Sequence, residues 1–433
     1  MKRYISLVED VCLRQQPDSL SMLYVEKNSW QEIGINESAF EILKRIDGNH
    51  TFETLVEDMV ILFNEKKDKV ISIVSSFIQT LEQQNFIIFN DVSHHSPVII
   101  KGNQIYFSPD FMILELTHNC PLKCKYCYAN AGIGASMDIS KLLPLIEELH
   151  GFGTNYFQLT GGEPFAYSYI EDVVNLLLEK KIKFSITTSG FYWNKRVQKI
   201  MDKLVGREVF IQVSLDGLSQ THNKIRGDTR AYDHAVRFLK ESINRNIPTN
   251  VATCLVQQEI REIEELSYYL RDLGVNQHRL GMITDLGRAV ENKVSSAITV
   301  KEFLNITANL KKKLDNDTFH IGLLEDFENL ECRPNKSCGA GFKLYNLTPK
   351  LTLFPCTIFN INIGNLNTEK LEDVFIRNTR LFSNMSAPSD ELCHSCELID
   401  NCRDCLAEGF SNKNKVEKCH WYENTYKPIE SKI

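Results

Sequence analysis

The sequence predicts an α/β protein. Its centre is a barrel, closed or partial, of six β-α repeats, with a small β/three-helix/β module before it and a cysteine-rich region after it. Three observations predict this. Apolar strand-like runs alternate with helical stretches from about residue 110 to 320. Helical periodicity flanked by strand-like runs marks residues 1–92. Eight of the thirteen cysteines fall between Cys332 and Cys419, where regular periodicity fades.

The chain has 433 residues and 49.8 kDa, enough for a large core and, by length, about three domains. Hydrophobic residues make up 43% and charged residues 24%, which argues against collagen and disorder. No apolar run nears the ~18 residues of a membrane span, and the opening MKRYISLVED lacks a signal-peptide apolar region. These features predict a cytoplasmic protein without a membrane partner. A net charge of −7 argues against a nucleic-acid partner.

In the first module, residues 21–26 (SMLYVE) and 86–89 (FIIF) read as strands, and residues 37–47, 51–63 and 70–84 as helices. This order suggests a winged helix-turn-helix. Residues 1–100 hold nine Lys/Arg and fifteen Asp/Glu, a net of −6 that suits a peptide added to a sheet edge better than DNA. The polar stretch 93–109 reads as a linker. Strands are then expected at 111–117, 156–160, 183–188, 209–215, 250–256 and 278–283, with helices between them. Such repeats need parallel strands with crossover helices, and their ligands gather at the carboxyl ends of the strands. The barrel is assigned to 110–320 and the cysteine-rich domain to 321–433.

Cytosolic cysteines in clusters read as metal ligands rather than disulfides. Cys120, Cys124 and Cys127 follow the first barrel strand in a C-x3-C-x2-C spacing. Three thiolates from one loop suit three corners of an iron–sulfur cluster and leave the fourth iron open. Zinc is the alternative, but it wants four closed ligands, with only His118 near enough in sequence to complete the set. The C-terminal group runs Cys332-x5-Cys338-x17-Cys356 and then Cys393-x2-Cys396-x5-Cys402-x2-Cys405-x13-Cys419. Eight thiolates make two four-cysteine sites, for clusters or for zinc ribbons. Cys12 and Cys254 read as buried apolar cysteines.

The loop LTHNCPLKCKYCYA resembles the signature of the radical S-adenosylmethionine (radical SAM) superfamily, Tyr126 included. The resemblance implies a partial (β/α)6 barrel in which Cys120, Cys124 and Cys127 bind a [4Fe–4S] cluster. The open iron chelates SAM, and one electron cleaves it to methionine and a 5′-deoxyadenosyl radical. LTGGEP (159–164) resembles the family's site for the SAM amino group, with Gly161 and Gly162 allowing close approach and Glu163 accepting from the ammonium. SITTSG (185–190) and SLDG (214–217) lie where the family contacts ribose and methionine, which nominates Ser189, Ser214 and Asp216. Arg226 is a candidate partner for the SAM carboxylate. No residue is assigned an acid or base role.

The C-terminal run resembles the SPASM domain, which holds two auxiliary [4Fe–4S] clusters and brings the expected total to three. The family's interleaved pattern implies Cys332, Cys338, Cys356 and Cys405 for one cluster and Cys393, Cys396, Cys402 and Cys419 for the other. The x2 spacing between Cys402 and Cys405, where the family has x3, departs from that pattern. The whole order resembles the sactipeptide maturases. It implies a ribosomally made precursor peptide whose leader is bound by residues 1–92, cysteine sulfur-to-α-carbon crosslinks, and an electron donor such as flavodoxin or ferredoxin. Alternatives are β- or γ-carbon thioethers, carbon–carbon crosslinks, sulfatase maturation, or a non-enzymatic zinc-stabilised regulator.

Overall fold

A computed structural model describes residues 3–324, 338–394 and 396–432. The chain forms two compact units, one of Met1–Ser108 with Glu148–Gly153 and one of Pro109–Glu147 with Thr154–Ile433.

The first unit holds β1 (Tyr4–Leu7), β2 (Val11–Gln16), β3 (Ser19–Glu26), β4 (Ser29–Ile35), α1 (Glu37–Leu43), β5 (Asp47–Thr51), α2 (Phe52–Phe63), α3 (Lys67–Gln83), β6 (Ile87–Asn90) and β7 (Ile100–Gly102). Two sheets result, ordered β5-β1-β6 and β4-β3-β2-β7. The buried stripe of α3, Val70, Val74, Ile78 and Leu81, repeats at helical spacing and packs on Ile5, Leu55 and Met59. Asn36 caps α1 and Thr51 caps α2 through the Thr54 amide.

The helix read from sequence over residues 37–47 instead ends at Leu43, and Asp47–Thr51 form β5. The turn at Asp47, whose carboxylate accepts from the Asn49 amide, and Gly48 at φ +80° break the helix. The stretch 93–109, read as a linker, carries β7, which pairs in parallel with β2.

The second unit is built on one open sheet, and the helix Ile139–Gly151, which begins in it, has its last residues from Glu148 in the first unit. Its elements are β8 (Phe111–Thr117), α4 (Ile139–Gly151), β9 (Tyr156–Gly161), α5 (Ile170–Glu179), β10 (Lys183–Thr188), α6 (Lys195–Leu204), β11 (Val209–Ser214), α7 (Ser219–Arg226), α8 (Ala231–Asn244), β12 (Thr249–Leu255), α9 (Ile260–Leu273), β13 (Gln277–Met282), α10 (Arg288–Glu291), α11 (Val300–Leu314) and β14 (His320–Leu323), then β15 (Leu344–Leu347), β16 (Thr352–Phe354), β17 (Gly364–Asn365) and α12 (Leu371–Phe382). Strands β8 to β14 are parallel and adjacent in sequence order, the arrangement of a barrel left open between its first and last strands. The helices bury one stripe each, as in α6, where Val197, Ile200, Met201 and Leu204 recur at helical spacing. Beyond β8 the sheet continues with β15, parallel to β8 and paired Leu344↔Phe111, then antiparallel β16 and β17.

Candidate functional site

The loop after β8 is pinned on both sides by backbone bonds. On one side the amides of His118 and Cys120 donate to the carbonyls of Ala135 and Gly132, at 2.8 Å each. On the other, the amides of Lys123 and Lys125 donate to the carbonyls of Arg226 and Ile225, at 3.1 Å each. Arg288 of α10 clamps the loop from above, donating from Nε to the Cys124 carbonyl and from Nη1 to the Ala131 carbonyl. The three thiols of Cys120, Cys124 and Cys127 gather against Leu122, Ala231 and Phe191. Burial, then the Glu163 carboxylate, pushes the Cys120 thiol up to about 12, and burial likewise raises Cys124 against the opposing charge of Arg226.

Gly161 and Gly162 lie where two backbone segments meet closely. A Cβ on Gly161, at φ +124°, would lie 2.4 Å from the Thr117 carbonyl oxygen, and one on Gly162 would lie 2.5 Å from that of Asn119. The pair therefore lets the end of β9 lie against the start of the cysteine loop. The Gly162 and Glu163 amides bond to the carbonyls of Thr117 and Asn119 at that contact, at 2.6 and 2.9 Å.

Glu163 is fully buried. Its Oε1 accepts from Thr188 Oγ1 (2.7 Å) and the Phe165 amide (3.2 Å), and its Oε2 from the Ser189 amide (2.8 Å) and Ser189 Oγ (2.5 Å). The four donors offset, without cancelling, the upward push of burial on this carboxyl. They also fill its acceptor positions. Ser214 ends β11, half-buried.

Asp216 and Arg226 meet each other. Arg226 Nε lies 2.7 Å from Asp216 Oδ2, and Arg226 Nη1 lies 3.7 Å from Cys124 Sγ. Tyr126 Oη donates to both oxygens of Asp216, at 3.0 and 2.9 Å, and the Cys254 amide donates to Oδ1. Arg226 is thereby engaged by both Asp216 and a thiol of the cysteine loop. Cys254 joins this network through its backbone instead of sitting in an apolar core.

Sequence reasoning missed Glu115. It is a buried acid in the otherwise apolar FMILELT, and that isolation was the signal available. Its Oε1 accepts from Asn346 Nδ2 of β15, and its Oε2 lies 2.9 Å from His118 Nε2. His118 is thus engaged by Glu115.

Toward the C-terminus the thiols sort into two groups. Cys338, Cys356 and Cys405 are mutual neighbours, each with its thiol raised by burial. Cys393, Cys396, Cys402 and Cys419 line one pocket, beside Asn412 and Trp421. Asn412 Nδ2 donates to Cys402 Sγ at 3.5 Å, and burial pushes that thiol up to about 11. Cys332 lies outside the described residues. The short step from Cys402 to Cys405 reverses direction at Asp404, φ +61°, and sends the two thiols to different groups. Among the described residues no three His, Cys, Asp or Glu side chains are disposed to hold a single metal ion. The donor sets, three thiols on one loop and four around one pocket, fit multi-iron clusters whose corners are spread apart.

A family model described as Radical SAM superfamily matches residues 114–270, and one described as coenzyme PQQ synthesis protein D (PqqD) matches residues 20–87. The antilisterial bacteriocin subtilosin biosynthesis protein AlbA of Bacillus subtilis (strain 168) is 22% identical, over 96% of this chain and 95% of its own. The sporulation killing factor maturation protein SkfB of the same organism is 22% identical, over 64% of this chain and 67% of its own. Streptococcus suis SuiB, in its crystal structure bound to precursor peptide SuiA, shares the fold with a TM-score of 0.67 at 15% identity, over 96% of this chain and 98% of that one. Residues 114–270, the stretch that opens on the cysteine loop, are thus similar to the Radical SAM superfamily, with a PqqD-like stretch ahead of them and a cysteine-rich region behind.

Proposed function

We propose that this chain modifies a ribosomally made, bacteriocin-like precursor peptide in the cytoplasm, joining a cysteine sulfur to the α-carbon of another residue. The observation that carries this reading is end-to-end likeness. The order of PqqD-type module, radical SAM barrel and cysteine-rich region aligns over 96% of the chain with a bacteriocin biosynthesis protein. The same share aligns with the crystal structure of Streptococcus suis SuiB bound to its precursor peptide SuiA.

In this reading Cys120, Cys124 and Cys127 hold a [4Fe–4S] cluster. Cys332, Cys338, Cys356 and Cys405 hold a second, and Cys393, Cys396, Cys402 and Cys419 a third. With SAM bound, the first cluster supplies a radical able to take hydrogen from a Cα. Glu163 accepts the SAM ammonium when that group displaces one of the two hydroxyls now bonded to it. Ser189 holds Glu163 in place until that exchange, and Ser214 provides a polar contact at the end of β11. The Asp216–Arg226 pair holds the loop, and the buried walls around Leu122 and Phe191 keep water from the reacting centre. Residues 1–92 bind the leader, for which β4 offers an edge strand to which a further strand can be added. A flavodoxin or ferredoxin donates electrons.

The test is anaerobic reconstitution with iron and sulfide, followed by incubation with SAM, reductant and the precursor peptide. Mass spectrometry should show a pair of hydrogens lost per link, with fragmentation placing each link between sulfur and Cα. Links at β- or γ-carbons, or between carbons, would move the chain to another peptide-crosslinking activity. An unmodified peptide in the presence of cleaved SAM would overturn the reading.

A further inference from the structure

The chain is acidic overall, with a net charge of −7, yet the outer side of the cysteine loop carries positive charge. Lys123 and Lys125, which flank Cys124 in sequence, are both exposed. Their backbone amides bond to Arg226 and Ile225, which brings the exposed Lys224 alongside. Asn292 Nδ2 donates to the Lys125 carbonyl at 2.8 Å, which brings the exposed Lys293 to the other side. None of these four lysines is in an ion pair within the described residues. The acids on the same segments are partly engaged: Asp228 pairs with Arg230 at 3.3 Å, and Glu291 accepts from Asn130 Nδ2 at 3.1 Å.

From this we infer that Lys123, Lys125, Lys224 and Lys293 form the docking surface for an acidic, low-potential one-electron carrier protein, which delivers its electron through the loop of Cys120, Cys124 and Cys127. The inference rests on the reading of that loop as a cluster site. In the step itself the carrier loses one electron and the cluster gains one, with no bond made or broken. Charge decides the location. An acidic carrier is repelled by an acidic protein as a whole, and a local patch of opposite sign is what steers it to one face. Two of the four, Lys123 and Lys125, lie on the very loop that presents the thiols, one residue to either side of Cys124.

The experiment compares the reconstituted full-length protein with two double variants of equal net charge. Lys125→Glu with Lys293→Glu alters the patch; Lys311→Glu with Lys312→Glu alters exposed lysines of α11. Cluster reduction by a purified reduced flavodoxin is followed by stopped flow, flavodoxin binding by titration calorimetry, and reduction by dithionite as the carrier-free reference. The patch variant should lose about tenfold in flavodoxin-driven rate and in affinity at low salt. It should keep its dithionite rate, and the gap should close at high salt. Equal losses in both double variants, or none in the patch variant, would overturn the inference, as would an effect confined to the KM for precursor peptide. If dithionite reduction also slows, the milder Lys125→Gln with Lys293→Gln decides: a selective loss with flavodoxin supports the patch, and its absence overturns it. Iron in the wild-type protein separates the two levels. Wild type without iron overturns the cluster reading along with the patch, whereas iron with unchanged flavodoxin kinetics overturns the patch alone.

Discussion

The Arg226 guanidinium bridges Asp216 and Cys124, with Nε 2.7 Å from the carboxylate and Nη1 3.7 Å from the sulfur. A buried cation shared between a buried acid and a thiol stabilises negative charge on the sulfur, the form that binds metal. Removing one partner of such a pair strands the other. Arg226→Gln should therefore cost about 3–5 kcal/mol in denaturant unfolding. The double variant Asp216→Asn, Arg226→Gln should cost clearly less, because no charge is left alone. Equal losses in the single and double variants would sink the pairing argument. In the reconstituted protein Arg226→Gln should also shift the first cluster to a more negative potential, read by EPR-monitored titration.

The two glycines after β9 give a sharper test of local packing. Alanine at Gly162 would put its Cβ 2.5 Å from a carbonyl of the cysteine loop, where backbone rather than a flexible side chain must yield. Gly162→Ala should lose about 1–3 kcal/mol of stability and bind less iron at the first site, while the C-terminal groups load normally. A protein with wild-type iron content and stability would show that the contact is not tight.

Glu163 and Ser189 make opposite predictions for SAM binding, although each bonds the other. If the Ser189 hydroxyl is the donor that the ammonium displaces, Ser189→Ala should bind SAM at least as tightly as wild type. Glu163→Gln removes the charged acceptor and should weaken binding about tenfold, the equivalent of roughly 1.4 kcal/mol. Titration calorimetry on the reconstituted protein reads both. A weakened Ser189→Ala with an unaffected Glu163→Gln would refute the assignment.

His278 bears on pH. It is fully buried between Thr253 Oγ1 (2.8 Å from Nε2) and Ser267 Oγ (3.0 Å from Nδ1), and burial lowers its ring to about 3 from an ordinary 6.5. The group is depressed on folding, so its contribution is complete above the unfolded value. Below pH ~6.5 the unfolded chain takes up a proton that the folded ring refuses, and stability falls as the pH drops toward 3. His278→Gln should flatten that acid limb by up to about 1.4 kcal/mol per pH unit, measured by urea unfolding between pH 7 and 5. An unchanged slope would mean that the ring protonates in place.

Local pattern made the barrel legible. Strands β8 and β10 coincide with the apolar runs 111–117 and 183–188, and the stripes of α5 and α6 are visible as helical spacing. What depended on distant partners was not. β15 is a short run in a cysteine-rich region, and only its pairing with Phe111–Leu114 makes it part of the barrel sheet. β2 and β4 owe their strand form to β3 between them. Within the site, the residue types at Glu163, Asp216 and Arg226 stood out in sequence, but their partners did not. That Arg226 faces Asp216 and Cys124, and that Gly161 and Gly162 accommodate protein backbone, are facts of approach between segments far apart along the chain.

The pairing of β15 with β8 also orders events in time. Asn346 and Glu115, hydrogen-bonded across that pair, stand 231 residues apart. During synthesis β8 and the cysteine loop emerge early, but one edge of β8 stays bare and Glu115 lacks its amide partner until the ribosome has passed Leu347. Long-range parallel pairing forms slowly and leaves open strand edges prone to self-association. The nascent barrel is thus a half-finished sheet awaiting its last staple. Chains cut short before β15 should accumulate as aggregates, and iron delivered to the first site before that moment would meet a loop whose supporting strand is not yet fixed.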